Sequence, residues 1–174
     1  MIGAYTISSQ NVQIGVVIYG SSASSPISLS QYSDANSLLR AIAGLRYAGA
    51  GGRVDLGFSS AGVMLRRARQ PYVVQRTIVF VDERSNANML TYSQRLQNEN
   101  IGVTVFGMGD RVDKAYADSL STDKKGYYTN DMAALPASGN AYVKAQKAGE
   151  YLRKYYEIGM VTKKNFRKVS FCLE

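Results

Sequence analysis

A chain of 174 residues that is 45% hydrophobic, with 16 Gly and only 3 Pro, is long enough to form one domain and is neither collagen-like nor low in complexity. Its net charge of +8 is concentrated toward the C-terminal end, where eight Lys or Arg stand between Ala141 and Lys168 against two Glu, so any polyanion contact belongs there. No run approaches the ~18 apolar residues of a membrane span. No Lys or Arg precedes Arg40, so the apolar run Val12 to Ile18 lacks the basic leader of a secretory signal.

In chain order, Val12 to Tyr19 is a short apolar run, and Pro26 to Leu29 a second extended segment after a serine-rich turn. Leu38, Leu39, Ile42 and Leu45 recur at helical spacing, with Ser33 or Asp34 as N-cap. The cluster Gly49-Ala-Gly51-Gly52 breaks that pattern, which Leu56, Phe58, Ala61, Met64, Leu65 and Ala68 resume until Pro71. Thr77-Ile-Val-Phe-Val81 has the composition of a strand buried on both faces. A helix around Leu90, Ser93 and Leu96 follows, then a second buried strand, Ile101 to Phe106, closed by Gly107-Met-Gly109-Asp110. Val112, Ala115, Tyr116 and Leu120 predict another helix, Gly126 to Thr129 a short strand, and Ala141 to Tyr156 a long final helix. This alternation predicts a doubly wound α/β fold, a mainly parallel sheet with helices on both faces, over residues 1–160, with a basic tail at 161–174. Ligands of such sheets bind at the carboxyl ends of the strands, here the loops that begin at Tyr19, Asp82, Gly107 and Thr129.

The residues that carry most enzyme chemistry are missing. There is no His, no Gly-x-Ser-x-Gly elbow and a single Cys, Cys172, so His-assisted nucleophilic catalysis and a Cys/His zinc site are excluded. The expectation is a partner-binding module and not an enzyme. Cys172 cannot close an internal disulfide: it is a free thiol in a reducing compartment, or its partner lies outside this chain. The turn Gly49 to Arg53 is either a plain helix entry or a phosphate cradle, the basis of an alternative reading as a nucleotide-binding α/β enzyme; a P-loop would need Gly-Lys-Ser/Thr in place of Gly52-Arg53-Val54. A second alternative is polyanion binding by the basic C-terminal stretch, with nucleic acid a disfavoured partner. Asp82, at the rim of the most buried strand, can ligate a metal through water, cap the next helix, or pair with Arg84 or another Arg.

Taken together, Val12-Gln-Ile-Gly-Val-Val-Ile-Tyr19, Leu38-Leu-Arg-Ala-Ile42, Gly51-Gly52, Thr77-Ile-Val-Phe-Val-Asp-Glu-Arg-Ser85 and Ile101-Gly-Val-Thr-Val-Phe-Gly-Met-Gly-Asp110 resemble, in order, the von Willebrand factor type A domain. The resemblance implies a Rossmann-like fold and a metal-ion-dependent adhesion site in which three loops hold Mg²⁺ or Mn²⁺ and an acidic residue of a protein partner completes the shell. It also implies that the family's first strand, most of its first helix and the Asp-x-Ser-x-Ser loop are absent, with Met1 to Ser8 as a remnant. The strands at Val12 to Tyr19 and Thr77 to Val81 are then left with bare edges that favour aggregation. In the second loop Arg53 stands where the family has its metal-binding Thr, with Asp55 two positions on; in the third, Asp82 is kept and Glu83 replaces Gly.

The site is therefore read as degenerate. Asp82 is its remaining metal residue, and Arg53, Asp55, Arg84 and Ser85 are the ligand-binding residues. No cofactor is expected here, Mg²⁺ or Mn²⁺ being reserved for a full-length form. Cys172 is expected to pair outside this chain, and a full-length parent to be secreted or extracellular. A protein ligand is expected at the loops Gly20 to Ser25, Gly49 to Asp55 and Asp82 to Asn88.

Overall fold

The computed structural model describes residue 2 and residues 5–45, 52–69, 73–84, 88–149 and 154–162. The elements run in the order β1 (Val12–Tyr19), β2 (Ala23–Ile27), α1 (Ala35–Ala43), α2 (Val54–Arg67), β3 (Val73–Glu83), α3 (Met89–Asn98), β4 (Ile101–Arg111), α4 (Lys114–Leu120), β5 (Tyr127–Thr129), α5 (Leu135–Gly149) and β6 (Lys154–Thr162). They form one six-stranded sheet of order β2-β1-β6-β3-β4-β5, parallel throughout except for the β1–β2 pair.

The sheet is covered on both faces, as the alternating pattern predicts. Side chains of one parity, Ile14, Val16, Ile18, Ile78, Phe80 and Phe106, pack against Leu38 and Ile42 of α1 and Leu135, Tyr142 and Val143 of α5. Those of the other parity, Val17, Tyr19, Val79, Val81, Val103 and Val105, pack against Phe58, Ala61 and Leu65 of α2, Met89 and Leu96 of α3, and Ala117 and Leu120 of α4. On the first face Phe80, Phe106 and Tyr127 form an aromatic ladder across β3, β4 and β5, with centroids 5.2 and 4.8 Å apart, and Tyr142 stands edge-on to it.

Local chemistry fixes the helix starts. Asp34 caps α1 by accepting from the Ser37 amide at 2.8 Å, and Asn88 and Asp113 cap α3 and α4 in the same way. Two glycines set close approaches. A Cβ at Gly15 would lie 2.5 Å from Met64 Sδ, so its absence lets α2 lie against β1; at Gly126 it would lie 2.4 Å from the Ala117 carbonyl carbon.

Two expectations are corrected at the C-terminal end. The final helix stops at Gly149 and does not reach Tyr156; the segment after it is the strand β6, because Tyr155, Tyr156, Ile158, Val161 and Thr162 favour an extended chain over a helix. The gap expected between the strands at Val12 and Thr77 is filled by that strand. β6 pairs in parallel with β1, Val12 with Tyr155 through Tyr19 with Thr162, and with β3, Val73 with Lys154 through Phe80 with Val161. Neither neighbour has a bare edge on that side. The boundary expected at residue 160 falls inside β6, so Val161 and Thr162 belong to the sheet, while residues 163–174 lie outside the described residues.

Candidate functional site

The carboxyl ends of β1, β3 and β4 bring three loops together, and their backbones are tied. The Arg53 amide donates to the Gly20 carbonyl at 3.0 Å, which fastens the start of α2 to the end of β1. Glu83, the last residue of β3, lies over Gly52: a Cβ there would meet Glu83 Oε1 at 2.6 Å. Arg111, the last residue of β4, donates to Glu83 Oε2 at 3.3 Å.

The side chains continue this row. The Arg53 guanidinium grips Asp55 through two bonds, Nε to Oδ1 at 2.8 Å and Nη2 to Oδ2 at 2.6 Å. These bonds, first among the causes, hold the Asp55 carboxyl below its usual range although burial acts against them. Asp55 is buried while Arg53 is exposed, so the pair offers the face of a fixed guanidinium to solvent. At the other end Arg84 donates to Asp113 Oδ2 at 2.6 Å and lies over the Tyr116 ring, 5.3 Å from its centroid. Asp113 also accepts from the Tyr116 amide at 2.7 Å, and that bond, followed by the Arg84 charge, lowers its pKa. Beneath the loops the fully buried Tyr19 hydroxyl donates to the Phe80 carbonyl at 2.8 Å; burial, and after it the Asp82 carboxylate, push its pKa well up.

Of the residues singled out in the sequence, Arg53, Asp55 and Arg84 stand in this row, and Ser85 and Cys172 lie outside the described residues. Asp82 is half-buried at the end of β3. Among the described residues α3 is capped by Asn88 and Arg84 turns to Asp113, so Asp82 neither caps that helix nor holds Arg84. Arg111, Asp113 and Tyr116 were missed. Asp113 had a visible signal, an acidic residue just before a helix, but nothing in the sequence pairs it with Arg84, 29 positions away.

A divalent cation needs several free oxygens. In the second loop the Asp55 carboxylate is taken by a guanidinium that would itself repel a cation, and among the described residues no three His, Cys, Asp or Glu gather in a group that could hold a metal. The donor set of the described residues does not fit the ion. At the helix entry, Arg53 N–H is bonded to the Gly20 carbonyl and Val54 N–H to the Gly52 carbonyl at 2.8 Å, so neither amide is open to a phosphate. Of the basic C-terminal residues, Lys144 is exposed on α5 and Lys154 begins β6, while Lys163 to Lys168 lie outside the described residues. No helix among the described residues is long and apolar enough to cross a membrane.

The fold is shared with solved structures of low sequence identity. Proximal thread matrix protein 1 of the mussel byssus matches with a TM-score of 0.65 at 19% identity, over 70% of this chain and 33% of that one. That protein has also been solved with zinc in its metal-ion-dependent adhesion site. A von Willebrand factor type A protein of Catenulispora acidiphila matches with a TM-score of 0.65 at 17% identity, over 87% of this chain and 36% of that one. BatB of Bacteroides thetaiotaomicron matches with 0.60 at 16% identity, over 78% and 80% of the two chains. The chain thus spans about a third of the length of the first two proteins. No curated protein matches in sequence. The family model of the von Willebrand factor type A domain matches residues 1–138, and with the doubly wound sheet this places the chain in the von Willebrand factor type A domain family.

Proposed function

We propose that this chain is a non-enzymatic protein-binding module of an extracellular protein, and that it meets its ligand at the carboxyl edge of the sheet through fixed arginines and not through a metal ion. Von Willebrand factor type A domains are typically protein-interaction or adhesion modules. The observation that carries the reading is the row itself: Arg53, Arg111 and Arg84, each more than half exposed, are each held by a carboxylate, and Arg84 is braced on Tyr116. Side chains immobilised before contact lose little entropy on binding, and Arg beside Tyr is the composition of a binding hot spot. Arg53 at the second loop supports the reading of the metal site as degenerate, and the likeness to the byssal protein supports the reading of an extracellular parent.

The test selects binders from displayed extracellular proteins and compares variants of the chain. Arg84→Ala and Tyr116→Ala are each expected to weaken binding about tenfold or more, as hot-spot truncations do. Arg95→Ala, on the exposed face of α3, is expected to leave it unchanged. Equal binding by all variants would place the contact elsewhere. Calorimetric titration with Mg²⁺ and Mn²⁺ should give no saturable heat, and tight binding abolished by Asp82→Ala would restore the metal reading.

A further inference from the structure

We propose that β6 is an exchangeable strand, which the slot between β1 and β3 accepts from a second copy of this chain, giving a reciprocal strand-swapped dimer.

Three observations carry this. β6 occupies the middle of the sheet yet is the last of the described elements in the chain, and its two partners lie far upstream, so among the described residues the slot stays open until residues 154–162 arrive. An open slot presents the backbone donors and acceptors of β1 on one side and of β3 on the other, which is what recruits a strand.

The walls of that slot are held apart by contacts that do not involve β6. Tyr19, at the end of β1, bonds the Phe80 carbonyl of β3 at 2.8 Å across the width of one intervening strand, two spacings or about 9–10 Å. α2 bridges the same two strands, lying against Gly15 of β1 through Met64 and accepting at its Leu65 carbonyl from Gln75 of β3 at 2.7 Å. The gap is thus framed at its carboxyl end by Tyr19 and along one face by α2.

The occupant is specified by register. Eight consecutive pairs join β6 to β1 and eight join it to β3, so a matching segment must present the same backbone over the same length on both edges. A second copy carries that segment by identity, and reciprocal exchange leaves no strand unpaired in either copy. Closure within one chain is first order and closure between chains second order, so the ratio of dimer to monomer after refolding depends on concentration.

The experiment refolds the full chain from denaturant over a range of concentrations and separates the products by size. The dimer-to-monomer ratio is expected to rise about tenfold for each tenfold increase in chain concentration. In parallel, chains with Val12→Cys and chains with Tyr155→Cys, both also carrying Cys172→Ser, are refolded together and oxidised. Positions 12 and 155 are paired neighbours in the sheet, within reach of a disulfide. Exchange predicts a covalent dimer that joins position 12 of one chain to position 155 of the other, in excess over either same-position product. Monomer at every refolding concentration, or a dimer without that link, overturns the proposal.

Discussion

Thr77 puts a hydroxyl in the middle of β3 with no exposure to solvent and no hydrogen-bond partner. A buried hydroxyl left unpaired is destabilising, and valine has nearly the same shape without the polar atom. Thr77→Val is therefore expected to stabilise the fold by about 1 kcal/mol. The midpoint of urea unfolding should move up with an unchanged slope; a fall would mean that the hydroxyl has a partner in solution. Nothing in the sequence marks Thr77 as unsatisfied. Threonine is common in strands, and only its burial in the folded sheet leaves its oxygen dry. The same contrast holds at Arg53 and Asp55: both could be named from the sequence as site residues, but that they bind each other depends on how the start of α2 is fastened to Gly20.

At the level of elements, β1, α1, α2, α3 and β5 lie where periodicity and turn residues put them, because each carries its own signal within a few residues. β3 and β4 run on past the apolar cores visible in the sequence, to Glu83 and Arg111, and those two end residues pair with each other across the sheet. β6 is the element that local reasoning misread: a run rich in Lys and Tyr after a helix looks like more helix until a slot with two waiting edges is present. Its importance can be tested with proline. Ile158 pairs with Gly15 on one side and Thr77 on the other. Ile158→Pro removes a donor from a central strand, and the orphaned acceptor alone is expected to lose about 1–3 kcal/mol of stability. Ser25→Pro, on the edge strand β2 that already contains Pro26, should change the urea midpoint far less. Equal effects at the two sites would argue that β6 does not complete the sheet.

At the scale of the whole molecule, charge and pH are linked, among the described residues, through the carboxyl groups of Asp34, Asp55 and Asp113. Asp34 is held below its ordinary value by the Ser37 amide, Asp55 by the Arg53 guanidinium, and Asp113 by the Tyr116 amide and then Arg84. A carboxyl whose folded pKa is depressed stabilises the fold in full above its unfolded value, about 3.9 for Asp, and that contribution is lost as the pH falls through the lowered folded value. Urea midpoints are thus expected to fall steeply only below about pH 4. Asp55→Asn should flatten part of that acid limb, and a profile identical to the parent's would mean that Arg53 does not hold Asp55 in solution.

The sequence by itself determined the fold class and the family, and pointed to the edge of the sheet proposed here as the site, since strand burial, helix period and caps are properties of short segments. Tertiary structure alone decided which strand stands in the centre of the sheet and that Arg84 holds Asp113 and Arg111 holds Glu83. Both depend on contacts between residues far apart in the chain, for which the energy lies in closing a slot or burying a pair and leaves no local mark.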